Sequence, residues 1–308
     1  MVTNYHNFAA SGAEPYHAPM SDEIHVIGAS GRSGTALCRS LLADAVPYVP
    51  IVRNAARWAA TGLPGAPKIA DLKQHSLHAA LGDAARIVSC AHARHIPAIL
   101  AAAPKAARFV FLGSTRKFTR WPDAHARGVL GGERIFLASG RSGVLLHSTM
   151  IYGAAGEDNV QRLAILLRRL PIVPLPGGGR ALVQPIHQSD VTRCLRAALD
   201  IDWAGPHALV IAGPEPVSYA KFVRAVAAAA GLRKPWIVPI APALLRALSP
   251  VTALPGLPRI RGDELRRLLE DKAFPIEAMR CRLHVDPIPL AAGLAMTFVG
   301  HASVSERP

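Results

Sequence analysis

The sequence predicts an α/β fold: a doubly wound parallel sheet with a small, mostly helical C-terminal lobe. Two observations predict it. Short β-branched runs alternate with stretches of helical period through the first half of the chain, so helices must cross over between parallel strands. The first run ends in GASGRSG (28–34), with glycines at 28, 31 and 34.

The elements follow in order. Ile24, Val26 and Ile27 form the first strand; Leu37, Cys38, Leu41 and Leu42 recur at helical spacing beyond the glycines. A second strand fits Tyr48 to Arg53, and a polar stretch bearing Pro and Gly follows. Ile87–Cys90 and Arg108–Leu112 read as buried strands, with the Ala-rich segment 96–103 as the helix between them. Residues 125–139 suit a helix and Val144–Ile151 a strand. Val160, Leu163, Leu166, Leu167 and Leu170 make an amphipathic stripe. Beyond it, PIVPLPGGGR (171–180) is loop-like. Ser189 or Asp190 suits the cap of a helix running to about Leu199, and 207–212 is a short strand. Tyr219–Ala230, Pro242–Leu248 and Asp263–Glu270 suggest further helices. The expected organisation is a loose arm over 1–21, a nucleotide-binding domain over 22–155, and a lobe over 156–308. That lobe is interleaved with the sheet and lacks a clean core of its own.

Composition narrows the function classes. The chain has 308 residues, half of them hydrophobic, and a net charge of +14. This fits a folded protein. The arginines are scattered, with no sustained basic run and no interleaved aromatics, so a nucleic-acid partner is not expected. The basic surface leaves association with a membrane surface or a protein complex open. Cys38, Cys90, Cys194 and Cys281 are far apart and form no C-x-x-C pair, which suits a reducing cytoplasm and gives no zinc spacing. His92 and His95 lie three apart without a third ligand, so no metal is expected. The first 20 residues lack the apolar core of a signal peptide. The apolar stretch Trp236–Val251 is broken by prolines and is too short to span a bilayer.

The glycine loop carries the chemistry. Between a strand and a helix, such glycines turn the backbone tightly and let it approach a pyrophosphate, while the helix N-terminus offers N–H donors. Gly28, Ser30, Gly31, Arg32, Ser33 and Gly34 are therefore cofactor-binding candidates. Some 20 residues on, NAD-binding units place an acid against the ribose. Counting from Gly34, that position is Arg53, and no carboxylate occurs between Asp44 and Asp71. Arg32 and Arg53 would meet a ribose 2′-phosphate, so NADP(H) is preferred over NAD(H).

The GxxGxxG spacing resembles the extended and atypical short-chain dehydrogenase/reductases, with their sugar-nucleotide epimerases and dehydratases, which carry a Rossmann sheet. Asp71-Leu72 matches the pair placed beside the adenine in that family. Ser89-Cys90-Ala91 matches the segment that flanks the adenosine ribose. FVFLGST (109–115), STMIYG (148–153) and QPIHQSDV (184–191) match further family segments. Together with LPGGGR, the last two look most like the branch of the NADPH-binding accessory subunit of respiratory complex I and its bacterial relatives.

The resemblance implies a Tyr-x-x-x-Lys pair, whose tyrosine exchanges the substrate proton. No Tyr-x-x-x-Lys occurs in this chain. Aligned on the helix glutamate, here Glu133, His125 stands at the tyrosine position and Val129 at the lysine position. The triad serine is kept as Ser114, and His147 replaces the arginine of the family's sixth-strand motif. Ser114 and His125 are the catalytic candidates, the latter because imidazole titrates near neutrality. Arg180, His187 and Asp190 are lesser candidates. Two readings stay open: an oxidoreductase or epimerase-like enzyme with another proton-transfer group, and a non-catalytic protein in which bound NADPH stabilises the fold or an assembly. Neither the substrate nor the oligomeric state is legible.

Overall fold

The computed structural model describes residues 21–72, 76–153, 159–170, 172–241, 266 and 268–302. Its centre is a seven-stranded parallel sheet. Strands β1 (Ser21–Ile27), β2 (Tyr48–Val52), β3 (Lys68–Ile69), β4 (Ala84–Ser89), β5 (Arg108–Ser114) and β6 (Gly143–Ser148) are joined by a late strand, Pro206–Ile211. From one edge the order is Pro206–Ile211, β6, β5, β4, β1, β2, β3. The expected doubly wound sheet is thus present.

The period of two along each strand builds both faces. Val26, Val88, Val110 and Val144 pack with Leu37, Leu41, Val191 and Leu195 on one face. Their neighbours Ile27, Ile87, Phe109, Phe111 and Leu145 pack with Ile96, Ile99, Val129 and Phe136 on the other. Helix α1 (Arg32–Ala43) and the helix Gln188–Asp200 cover the first face; the helices Ile96–Ala102 and Ala124–Ala138 cover the second.

Several expectations change. The polar stretch after β2 holds the short helix Ala55–Ala59, capped by Asn54, whose side chain accepts from the Arg57 amide at 3.1 Å. It also holds β3 and the helix Ser76–Leu81. The loop-like reading of 171–180 is corrected: Ile172–Pro176 is a strand paired in parallel with Trp236–Ile240. Its prolines are tolerated because a two-stranded ribbon has only edge strands. The turn comes at Gly177–Gly179, all three with positive φ. The lobe does have a core of its own, in which Tyr152, Val160, Val223, Val226 and Leu294 are buried. The helix cap expected at Ser189 or Asp190 belongs to His187, whose ring nitrogen accepts from the Ser189 amide at 3.2 Å. The arm over 1–20, the helix expected at 242–248 and most of that at 263–270 lie outside the described residues, while Ser21 belongs to β1.

Candidate functional site

The strand order reverses between β1 and its two neighbours, β2 and β4. In open α/β sheets the crevice beyond the carboxyl ends at such a point is where ligands bind. Gly28 and Cys90 stand there. Gly28 has φ +77°, and a Cβ on it would lie 3.3 Å from the Ala91 amide nitrogen. Gly31 closes the turn, donating its N–H to the Gly28 carbonyl at 2.9 Å, and caps α1 without a side-chain hydrogen bond. A Cβ on Gly34 would lie 2.2 Å from the Gly28 oxygen. The loop is therefore a cradle that no side chain can enter. The first-turn amides of α1 face out of it as donors, with no acidic residue in that turn.

A cavity of about 740 Å³ opens on this helix end. Its wall includes Ser30, Arg32, Arg39, Arg57, Gln188 and Arg193, and no carboxylate. Arg53 is exposed at the end of β2 and lies off this wall; Arg57, one turn on, joins Arg32 instead. Ser33 donates to the Gln188 side chain at 3.0 Å, tying the loop to the helix from the C-terminal half. Asp190 does not face the cavity as a free acid. It is fully buried, pairs with Arg193, and accepts from the Ile288 amide at 2.8 Å.

Of the other predicted cofactor residues, Ser89-Cys90-Ala91 stands at the same switch point, while Asp71 and Leu72 lie beyond β3. The Cys90 amide donates to the Ile27 carbonyl at 3.0 Å, so Ser89-Cys90-Ala91 runs directly beside Gly28. Burial pushes the Cys90 thiol up to about 12. Asp71 and Leu72 are half-buried just beyond β3; the Asp71 amide donates to Ser76 at 3.2 Å, and Leu72 packs against the second core.

Ser114 ends β5, and its hydroxyl accepts from the Arg116 amide at 3.2 Å. His125 is the second residue of the helix Ala124–Ala138. Its ring meets His92 edge-to-face, with centroids 4.3 Å apart. His92 follows Ala91 directly, so the pair joins the end of β4 to the start of that helix. Burial first, then the Arg116 charge, lowers the His125 pKa. Burial, His125, Arg94 and His95 lower His92 to about 4. The His92 Nε2 is buried without a hydrogen-bond partner among the described residues. Gly128 makes the room, since a Cβ there would lie 2.9 Å from the His92 ring.

Further along the same helix, Lys117 and the His147 Nε2, the latter at 3.2 Å, share one oxygen of Glu133. Burial would raise the Glu133 carboxyl, but those two hydrogen bonds overcome it and hold the group at about 2. No spacing along the chain signals His92 as a partner or Lys117 in this network. Their positions are 33 and 16 residues from the groups they touch, and only the sheet brings them together. Among the described residues no cluster of His, Cys, Asp and Glu could hold a metal ion.

No family model matches this chain, and neither does any curated protein. Solved structures do match. UDP-glucose 4-epimerase from Thermotoga maritima is 12% identical with a TM-score of 0.70, the match covering 92% of this chain and all of that one. The NADPH-dependent quinone oxidoreductase QOR2 from Escherichia coli is 19% identical with a TM-score of 0.68, covering 89% and 99%. A short-chain dehydrogenase/reductase superfamily protein from Agrobacterium tumefaciens is 15% identical with a TM-score of 0.64, covering 93% and 100%. The chain shares the fold of these three proteins over nearly its whole length.

Proposed function

We propose that the chain binds NADP(H) on the glycine loop and is an oxidoreductase or epimerase-like enzyme in which His125 moves the substrate proton. One observation carries this reading: a cradle of three glycines at a helix N-terminus opens on a cavity with four arginines and no carboxylate in its wall. The α1 amides suit a pyrophosphate, and Arg32 and Arg57 suit a 2′-phosphate. Among structures of this fold, QOR2 is known with NADPH and the Agrobacterium protein with NAD. The nicotinamide supplies hydride exchange when bound. The chain's own part is to hold a proton acceptor beside it. His125 is kept neutral by burial, which suits a general base at neutral pH. His92 fixes the ring from the edge.

A thermal-shift series with NADPH, NADP, NADH and NAD tests the cofactor claim. A nucleotide at about 100 times its dissociation constant stabilises by about 2.7 kcal/mol. No shift with any of the four refutes the site, and a larger shift with NADH than with NADPH refutes the arginine argument. Turnover with a panel of carbonyl substrates, lost in His125→Ala, supports the enzyme. Retained cofactor without turnover supports the non-catalytic reading instead. Val129 favours that second reading, since the family's lysine position here is apolar and 1% exposed.

A further inference from the structure

We propose that the ribbon Ile172–Pro176/Trp236–Ile240, with the helix that leads into it, is a docking surface for an anionic lipid bilayer. The register pairs Ile172 with Trp236 and Pro174 with Val238 in parallel, so these four side chains share one face. That face is bare: Ile172 is 55% exposed, Trp236 77% and Val238 42%. An indole so exposed on a paired strand is an apolar body held at a fixed height, the arrangement that favours a membrane interface.

The charges complete the argument. Because the strands are parallel, both begin at the same edge of the ribbon. Arg168 and Arg169 precede one start, and Arg233 and Lys234 precede the other. All four are exposed, and none has a carboxylate partner among the described residues. On the helix Asn159–Arg169, Val160, Ala164 and Leu167 are buried in the lobe, while Arg162, Ile165, Leu166 and Arg169 form the outward stripe at i, i+3, i+4 and i+7. Exposed apolar residues with cations at the edge where the ribbon begins, and on the outward stripe of the helix before it, match acyl chains below and anionic headgroups beside them. A second copy of the chain would set these like charges against each other. Among the described residues no helix is long and apolar enough to cross a membrane, so the contact is peripheral.

The test uses the full chain and is independent of the nucleotide reading. Co-sedimentation with vesicles of phosphatidylcholine alone is compared with vesicles containing phosphatidylserine. Binding is expected only to the second, with loss at high salt. Brominated lipids should quench tryptophan fluorescence in the wild type and much less in Trp236→Ser. Trp236→Ser should lower binding about tenfold, and separately the combined Arg168→Gln, Arg169→Gln, Arg233→Gln and Lys234→Gln by about a hundredfold to a thousandfold, each keeping the wild-type Tm. No binding to the mixed vesicles overturns the proposal, as does binding that both variants retain. Self-association in sedimentation velocity that Trp236→Ser abolishes assigns the face to a second copy and overturns it as well.

Discussion

Gly34 offers the sharpest test of the cradle. An alanine there would bring its Cβ to 2.2 Å from the Gly28 oxygen and 2.8 Å from the Gly28 carbonyl carbon and the Ala29 Cα. These are backbone atoms. They are held by the Gly31 amide on Gly28 at 2.9 Å, and by the Gly28 amide on Ile51 at 2.9 Å, so no side chain can swing aside. The helix must draw back by about 1 Å to restore a van der Waals contact. Overpacking of this kind costs about 1–3 kcal/mol, and at roughly 2–4 °C per kcal/mol for a large domain the Tm should fall by about 2–12 °C. The same retreat moves the α1 amides away from the loop, so the NADPH-induced shift should vanish. Gly131→Ala is the control, since nothing lies within 4 Å of its Cβ position. In the middle of a helix it should gain about 0.5–1 kcal/mol. Thermal denaturation with and without NADPH reads both. A Gly34→Ala protein with wild-type Tm and wild-type NADPH shift would falsify the cradle.

Other outcomes follow from neighbouring groups. Arg32→Ala and Arg57→Ala should each weaken NADPH by about tenfold to a hundredfold, the worth of a charge-assisted hydrogen bond, and NADH by less; equal losses in titration calorimetry refute the 2′-phosphate role. Glu133 titrates at about 2 against an ordinary 4.5. Its contribution is present above pH 4.5 and is lost as pH falls towards 2, on the order of 3 kcal/mol. Glu133→Gln should therefore melt lower at pH 7 and lose part of the wild type's acid sensitivity between pH 5 and 2. His92, at about 4, stays neutral in the fold while the unfolded chain takes up a proton below its ordinary 6.5. Stability should fall as pH drops from 6.5 towards 4, and the His92 ring proton should titrate near 4 by NMR; a midpoint near 6.5 would contradict the buried pair.

The parts of this molecule legible in sequence are those set by local repetition. Short apolar runs at Ile24–Ile27 and Phe109–Leu112 announce buried strands, and the glycine spacing announces the turn at Gly28. The ribbon Ile172–Pro176 was hidden because prolines and glycines signal a loop, whereas its pairing comes from Trp236–Ile240, more than 60 residues away. The site divides in the same way. Loop residues are contiguous and could be named. Arg57 could be seen one turn beyond Arg53, but that the short helix Ala55–Ala59 sets Arg57, and not Arg53, in the cavity wall could not. The His92–His125 contact and the Lys117–Glu133–His147 cluster depend on which strand ends lie side by side, which no spacing along one segment reveals.

The late edge strand has a consequence for how the molecule is made. Pro206–Ile211 pairs with β6 over six residues, from Pro206↔Gly143 to Ile211↔Ser148. All of the lobe sequence from Thr149 to Gly205 must leave the ribosome before that pairing can form. A nascent chain, or a fragment cut near residue 155, presents β6 with an unpaired edge flanked by Leu145 and Leu146, which are fully buried in the finished protein. A cut at that boundary therefore removes the edge strand and moves the sheet's edge to β6, and a fragment that keeps all seven strands extends through Ile211.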